Sequence, residues 1–325
     1  MAIDKSKNQD DIAVVVFANR KDFFLTKLCV SSIRYYYPNV EIFMVKDQLN
    51  GNFNTKRFCN AFKVELIDLG RKFYGWSAAK VFFNLSNKLP KRRYLTLDSD
   101  IIFVGRVLDK LNRETGNYVV HPEVYPQPFT DMVKKVFLDP EKIVQHFKEY
   151  EYPGFFFNAG QIVVTPGIIT PELIAPAFTP KAYPFYKDVE TFPLVDQSIL
   201  NISLAILSKH KKATVSKVPF MLWSVDFFAD PSNNEFKKFA DGSFEFLVHY
   251  AGDTRVPQLE KMKGYELLKF FRDRYDARLS KFDLAADRMQ DKLADQSKLV
   301  KMVFKKNRVL IELRNRFKKL LNNKN

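Results

Sequence analysis

The sequence predicts an α/β fold, and two observations carry this prediction. Residues 13–18 (AVVVFA) form a short, wholly apolar run rich in valine, which is typical of a buried parallel strand. A helix-like stretch over residues 24–37 and a second strand-like run over 40–45 follow it. Strand, helix and strand at this spacing predict a βαβ unit, in which a crossover helix joins two parallel strands.

The later elements continue this alternation of strands and helices. Their predicted bounds are 94–97, 101–104, 118–120 and 160–164 for strands, and 76–89, 171–178 and 196–208 for helices. Proline-rich connections around residues 122–128 and 180–193 predict long ordered loops over one face. We therefore expect one α/β domain over residues 1–257, followed by a helical C-terminal extension over 258–325.

Composition narrows the class of protein. The 325 residues are 46% hydrophobic and include 32 Phe and 14 Tyr, enough for a large buried core. The two cysteines, Cys29 and Cys59, predict no disulfide framework and fit a reducing, cytoplasmic compartment. No secretory signal and no membrane-spanning run is recognised. A soluble or peripheral membrane protein is therefore expected.

The net charge of +15 is unevenly distributed. Residues 298–325 contain ten Lys or Arg and one acid, so this tail alone carries +9. Only +6 remains for the other 297 residues, and this argues against a nucleic-acid-binding body. No nucleic-acid partner is expected.

The acidic pair Asp98 and Asp100 is the most informative local feature. It follows the alternating run 94–97 directly and precedes a second apolar run, 101–104. Ligands of open α/β sheets bind beyond the carboxyl ends of the strands, and two carboxylates there suit Mg²⁺ or Mn²⁺. The alternative is a polar turn that closes a β-hairpin.

Residues 158–159 and 196–197 offer polar groups beside apolar runs. Asn158 could bind a substrate hydroxyl, and Ala159 would let the backbone approach a ligand; the alternative is a turn between strands. Asp196 and Gln197 begin a predicted helix. Both side chains could face a polar ligand. The alternative for Asp196 is an interaction with the N-terminus of its own helix.

His249 follows an apolar strand-like run. Beside two carboxylates its imidazole would complete a ligand set for Mn²⁺, whereas a lone histidine is more often structural. The sequence lacks a glycine-rich phosphate loop, a G-x-S-x-G motif and zinc-ligand spacing. Phosphates would therefore be held by the metal and by side chains such as Lys80, Lys217 or Arg255.

The order of these motifs is similar to that of the family 8 glycosyltransferases. The βαβ start, D-S-D at 98–100, F-N-A-G at 157–160, D-Q-S-I-L-N at 196–201 and H-Y-A-G at 249–252 cover roughly residues 12–257. The family includes bacterial lipopolysaccharide galactosyl- and glucosyltransferases and the glycogenins. The resemblance implies the GT-A fold with a mixed central sheet and a nucleotide-sugar donor.

Carried over residue by residue, the resemblance implies a complete site. Asp98, Asp100 and His249 would bind Mn²⁺ or Mg²⁺, and Gln197, Asp196 and Asn158 would be catalytic. The residues that would bind the donor, a UDP-hexose such as UDP-galactose or UDP-glucose, are Ala18, Asn19, Lys80, Ser99, Ala159, Gly252 and Arg255. Two positions depart from the family pattern, because 255–257 (RVP) lacks the usual Trp and 19–22 (NRKD) replaces the usual acidic turn.

The resemblance also implies retention of anomeric configuration. An amide such as Gln197 is a poor nucleophile, so front-face attack is favoured over a double displacement. The acceptor would be a glycan or glycolipid. Apolar residues Leu299, Val303 and Leu310 recur in the tail at helical spacing opposite lysines and arginines, which suits an anionic membrane surface. The alternatives are a sugar nucleotidyltransferase and a non-catalytic basic protein that binds membranes or nucleic acid.

Overall fold

A computed structural model describes residues 12–49, 53–70, 75–181, 185–188, 190–251 and 259–306, with backbone alone for Trp76 and 294–306. The strands are β1 Ile12–Ala18, β2 Ile42–Lys46, β3 Val64–Leu66, β4 Arg93–Asp98, β5 Ile101–Phe103, β6 Tyr118–Val120, β7 Pro122–Glu123, β8 Phe156–Phe157, β9 Gln161–Val164, β10 Val215–Lys217, β11 Met221–Trp223 and β12 Leu247–His249. The helices are α1 Phe23–Tyr36, α2 Lys56–Phe62, α3 Trp76–Asn84, α4 Val107–Asn112, α5 Asp131–Val136, α6 Pro140–His146, α7 Pro171–Ile174, α8 Val195–Lys209, α9 Ser224–Phe227, α10 Tyr265–Asp276 and α11 Lys281–Lys306.

Seven strands form the central sheet, in the order β10-β6-β9-β4-β1-β2-β3. β1 pairs in parallel with both β2 and β4, as the βαβ pattern predicts. β9 runs antiparallel to its neighbours β4 and β6, so the sheet is mixed. The predicted fold class, an α/β domain with a mixed central sheet, is confirmed.

A second sheet of three strands has the order β11-β12-β5. The chain leaves the central sheet after Asp98, turns through Ser99 and Asp100, and enters this second sheet as β5, which pairs with β12. The hairpin alternative for the acidic pair is therefore wrong, because β4 and β5 belong to different sheets. The turn crosses between sheets and leaves both carboxylates at the carboxyl end of β4.

Hydrophobic cores lie on both faces of the central sheet. Alternate residues of β1 face opposite sides, with Val14 and Val16 in one core and Val15 and Phe17 in the other. The first core includes residues of α1, α2 and α10, and the second includes α3 and α8. Burial on both faces explains why β1 reads as an uninterrupted apolar run.

Several element bounds differ from the predictions. The helix expected over 76–89 ends at Asn84, and the one expected over 171–178 ends at Ile174. The three-residue strands β3, β10 and β11 were not predicted. Unlike the apolar three-residue strands β5 and β6, which were predicted, β3 (VEL) and β10 (VSK) contain polar residues. The proline-rich connection after residue 122 contains α5 and α6, two short helices.

The C-terminal helices pack on the α/β domain. Leu267, Leu268 and Phe271 of α10 belong to the core that contains α1. The fully buried ammonium of Lys27 on α1 lies 2.8 Å from Asp287 and 2.7 Å from Asp291 on α11. The predicted boundary at 257/258 and the tail beyond residue 306 lie outside the described residues. Among the described helices, none combines the length and apolarity needed to cross a bilayer.

Candidate active site

A cavity of about 520 Å³ opens at the carboxyl ends of β1 and β4. Ten of the residues predicted for the site line it: Asn19, Lys80, Asp98, Ser99, Asp100, Asn158, Ala159, Asp196, Gln197 and His249. The size and position of the cavity are those of a small-molecule site in an open α/β sheet. The structure thus brings together segments that are up to 230 residues apart in sequence.

Asp98, Asp100 and His249 form one group of metal-ligating side chains. One ligand atom from each lies within 4.8 Å of those of the other two. The Asp98 side chain is 21% exposed, whereas Asp100 and His249 are almost fully buried. Two carboxylate oxygens and an imidazole nitrogen are a suitable donor set for Mn²⁺, and the oxygens also suit Mg²⁺.

Strand pairing brings His249 to the acidic turn. β12 pairs antiparallel with β5 so that His249 lies opposite Ile101, the residue after Asp100. The His249 Nε2 atom lies 3.5 Å from Asp100 Oδ1, and its ring stacks on Trp223 with the centroids 4.9 Å apart. Its buried Nδ1 has no hydrogen-bond partner among the described residues. Packing against Trp223 therefore holds the ring with its Nε2 beside the Asp100 carboxylate.

The backbone at Gly160 packs directly against the metal-ligating group. Its carbonyl accepts a 2.7 Å hydrogen bond from the Asp98 N–H. A Cβ at this position would lie 2.7 Å from His249 Cε1 and 2.9 Å from Asp98 Oδ2, both too close. A side chain would therefore intrude between two of the three groups, which is a physical reason for glycine here.

Lys80 links the metal-ligating group to α8. Its ammonium lies 2.7 Å from Asp98 Oδ1 and 3.2 Å from Asp196 Oδ2, and it donates to the Ala159 carbonyl at 3.1 Å. Burial alone would lower the pKa of Lys80, but the two carboxylates outweigh it, so the pKa is raised. Lys80 therefore stays charged and positions both acids; contact with a phosphate stays a prediction.

The carboxyl of Asp98 is perturbed by its surroundings. Burial is the main influence and the charge of Asp100 adds to it, whereas Lys80 and His249 act in the opposite direction. Together they raise the pKa of Asp98 to about 6. Perturbed carboxyl groups in a cavity are characteristic of functional sites.

Asp196 is held by α3 as well as by Lys80. It is the second residue of α8, and its carboxylate accepts a 2.6 Å hydrogen bond from the Ser77 hydroxyl. The Ser77 hydroxyl in turn accepts from the Asp196 N–H at 3.3 Å. Ser77 therefore satisfies the start of α8, and the Asp196 carboxylate faces the cavity instead of capping its own helix.

Gln197 and Asn201 bind the backbone of the 157–159 segment from successive turns of α8. Gln197 Oε1 accepts from the Ala159 N–H at 3.2 Å, and its Nε2 donates to the Val136 carbonyl at 2.6 Å. Asn201 accepts from the Phe157 N–H at 3.1 Å and donates to the Phe157 carbonyl at 2.9 Å. Because a carbonyl oxygen has two lone pairs, Gln197 Oε1 can still accept from a ligand.

The two asparagines in the cavity also stabilise turns. Asn158 Oδ1 accepts a 2.7 Å hydrogen bond from the Gly160 N–H, so the predicted turn and a cavity position occur together. Asn19 Oδ1 accepts from the N–H groups of Lys21 at 2.8 Å and of Asp22 at 3.2 Å. These bonds fix the conformation of two turns that line the cavity.

Four predicted ligand-binding residues lie elsewhere or cannot be described. Ala18 is fully buried in the core, and its carbonyl accepts from the Asp47 N–H at 2.8 Å. Lys217 lies outside the cavity lining, with its ammonium 5.1 Å from the centre of the Phe155 ring. Gly252 and Arg255 lie outside the described residues.

Sequence reasoning missed several residues that build the site. Asn201 and Ser77 had a recognisable signal, since they lie four residues after Gln197 and three before Lys80, on the same helix faces. Gly160 was part of a quoted motif, but its contact with the metal-ligating group needs the fold. Trp223 gave no signal, because only the pairing of β11 with β12 brings it to His249.

Comparisons with known proteins give a limited result. No model of a protein family matches the chain, and no curated protein sequence matches it either. Three solved structures that resemble it are glycosyltransferases. They are the bifunctional WbbM (TM-score 0.47, 15% identity, 88% of this chain and 53% of that one), the galactosyltransferase LgtC in complex with donor and acceptor sugar analogues (0.47, 14%, 82% and 95%) and GlyE of Streptococcus pneumoniae TIGR4 (0.44, 17%, 87% and 64%).

The chain spans about half the length of WbbM and less than two thirds of GlyE. All three TM-scores lie below 0.5.

Proposed function

We propose that this chain is a metal-dependent, retaining glycosyltransferase of the family 8 type. It would transfer a hexose from a nucleotide-sugar, UDP-galactose or UDP-glucose, to a glycan or glycolipid. The observation that carries the proposal is the convergence of Asp98, Asp100 and His249 in one cavity with Asp196 and Gln197. A metal-ligating group beside buried polar side chains suits a substrate with a diphosphate at one end and a sugar at the other.

The metal-ligating residues would hold Mn²⁺ or Mg²⁺. When bound, the ion supplies positive charge that stabilises the leaving diphosphate. Ser99 lies between the two acids in the cavity wall, and Asn19 lies in the same wall beyond β1. Gly252 and Arg255, which lie outside the described residues, would complete the donor contacts that the resemblance implies.

Asp196, Asn158 and Gln197 would orient the donor sugar. Lys80 and Ser77 fix the two oxygens of the Asp196 carboxylate, so its remaining lone pairs accept from sugar hydroxyls in a constant geometry. Ala159, buried beside them, lets the backbone approach the sugar.

We propose that the anomeric configuration is retained because the acceptor hydroxyl attacks the donor sugar from its front face. Gln197 is an amide that is anchored to Val136 and Ala159, so it would stabilise positive charge at the anomeric carbon without forming a bond. Asp196 is engaged by an ammonium and a hydroxyl, and these reduce its nucleophilicity. The departing phosphate would then take the acceptor proton.

The direct test uses Asp100→Asn. This variant removes ligand charge with little change in shape and, unlike Asp98→Asn, leaves the ion pair of Asp98 with Lys80 intact. Wild-type protein is incubated with a panel of nucleotide-sugars and Mn²⁺, and release of nucleoside diphosphate is measured with and without EDTA. We expect EDTA-sensitive release for one donor and its loss, by at least about a hundredfold, in Asp100→Asn.

The matched control is Asp230→Asn, an exposed acid whose Asn replacement still caps a short helix. It should behave as wild type. Release of pyrophosphate from a nucleoside triphosphate and a sugar phosphate would indicate a nucleotidyltransferase instead. Full activity of Asp100→Asn would contradict the metal assignment.

The acceptor is proposed to be presented at an anionic membrane surface. The α11 helix is attached to the domain through Asp287 and Asp291, and its opposite side leaves Phe282, Met289 and Leu293 from 57% to 76% exposed. The sequence of the tail adds apolar residues at helical spacing together with lysines and arginines, and this pattern suits adsorption to anionic lipid.

A further inference from the structure

A second cavity, of about 380 Å³, lies between α1 and α10. It is lined by Arg34, Arg274 and Arg278, together with Ser31, Tyr35 and other residues, none of which is acidic. α1 begins directly after Asp22 of the active-site cavity, and Arg34 lies in its last turn. At 1.5 Å per residue the two cavities are separated by roughly 17 Å along the helix.

Most of the other arginines in the described part of the chain form an ion pair with a carboxylate, whereas these three do not. The paired ones are Arg57 with Asp283, Arg92 with Glu41, Arg106 with Asp109, Arg113 with Glu245, Arg288 with Asp276, and Arg272 with Asp276, Asp287 and Asp291. No such pair involves the arginines of the second cavity within the ranges described. The acids nearest to Arg274 in sequence are already engaged, because Asp273 lies 2.7 Å from Lys269 and Asp276 lies 2.9 Å from Arg272.

Arg34 contributes a buried positive charge. Its guanidinium donates only to carbonyl oxygens, including those of Phe62 at 2.8 Å and Lys63 at 3.0 Å. Burial, and next the positive charge of Arg278, lower the pKa of Arg34 to about 10. Arg34 is still charged at neutral pH, so the wall of the cavity is positive, and none of its described lining residues supplies a carboxylate.

Arg274 and Arg278 are oriented by aromatic rings. The Arg274 guanidinium carbon lies 4.4 Å from the centre of the Tyr35 ring, and that of Arg278 lies 5.1 Å from the centre of the Phe62 ring. Stacking occupies the flat face of a guanidinium and leaves the N–H groups at its edge available. Such edges bind the oxygens of a phosphate in pairs.

We propose that this second cavity binds a phosphate group, carried by a soluble small molecule or by a lipid headgroup. Three guanidinium charges around one space match the two negative charges of a phosphomonoester, and the N–H edges of Arg274 and Arg278 can bind its acceptor oxygens. The volume admits the phosphate with a small group attached. The site is separate from the metal-ligating group and does not depend on the proposed activity.

The test compares two double variants of the full chain in EDTA, which prevents phosphate from binding through a metal. Arg274→Gln with Arg278→Gln removes two charges from the cavity, and both side chains are exposed, so the fold should survive. The control, Arg113→Gln with Lys212→Gln, removes two exposed charges elsewhere. Calorimetric titration with glycerol 3-phosphate forms one arm, and flotation with phosphatidic acid or phosphatidylcholine vesicles forms the other.

We expect the cavity variant to weaken binding at least tenfold in one arm, with the control variant within twofold of wild type. A loss confined to glycerol 3-phosphate identifies a soluble ligand. A loss confined to phosphatidic acid vesicles identifies a lipid headgroup. If the two double variants agree in both arms, the proposal is overturned.

Discussion

Replacing Lys80 by methionine tests the charge balance of the active site most directly. Lys80 is 3% exposed, and its ammonium lies 2.7 Å from Asp98 and 3.2 Å from Asp196. At an effective dielectric constant of 20 these two attractions amount to about 6 and about 5 kcal/mol, before the cost of removing the charges from water. Methionine fills a similar volume without charge, so Asp98 and Asp196 would lose their shared counter-ion.

The net loss is smaller than the sum of the attractions. Removing one partner of a buried ion pair costs about 3–5 kcal/mol, because the remaining charge stays buried and unpaired. We therefore expect Lys80→Met to lower the free energy of unfolding by about 3–5 kcal/mol at pH 8 in EDTA. Mn²⁺ should restore more stability to this variant than it adds to wild type, since the site is then more negative.

Urea denaturation of metal-free and Mn²⁺-loaded protein measures both effects. The control is Lys88→Met, the same substitution at an exposed position, which should change stability by less than about 0.5 kcal/mol. A loss for Lys80→Met no larger than that of the control would refute the reasoning, as would the absence of any extra stabilisation by Mn²⁺.

Three further predictions follow from the fold. Gly160→Ala should weaken Mn²⁺ binding by about tenfold or more in calorimetry, with the protein still folded, because its Cβ would lie 2.7 Å from His249 and 2.9 Å from Asp98. Burial, with the charge of Lys110, lowers the pKa of His121 to about 4, below its unfolded value of about 6.5. The folded protein therefore favours neutral His121. The free energy of unfolding is unaffected by His121 above pH 6.5 and falls as the pH drops from 6.5 towards 4. In acid titrations His121→Asn should lose less stability over that interval, and an identical profile would contradict the assignment. Truncation after residue 297 keeps the Lys27 ion pairs but removes the basic tail, so flotation with anionic vesicles should fall sharply; unchanged flotation would exclude the tail as the anchor.

The first half of the fold was predictable because its signals are local. β1 is buried on both faces and therefore apolar throughout, and α1 and β2 follow at the spacing of a βαβ unit. The acidic pair at residues 98–100 was recognisable for the same reason, since a strand pattern ends there. The short strands β3 (VEL) and β10 (VSK) were missed, because their polar residues interrupt the kind of apolar run that identified β5 and β6.

The candidate site was predictable as a set of residues but not as an arrangement. The motifs identified Asp98, Asp100 and His249, and the fold then placed their ligand atoms within 4.8 Å of one another. The sequence favoured Lys80 as a phosphate contact, whereas in the structure its ammonium lies between Asp98 and Asp196. That position depends on the packing of α3 against α8, which no local pattern encodes.

By itself the sequence determined the fold class, the position of the acidic turn and the concentration of charge in the tail. Each depends on neighbouring residues or on composition, which the chain carries whether or not it is folded. Only the tertiary structure decided which charges meet. Lys80 received two acids, whereas Arg34 and Arg274, 240 residues apart, share a cavity without one. Electrostatic energy depends on distance and burial, and folding alone creates both.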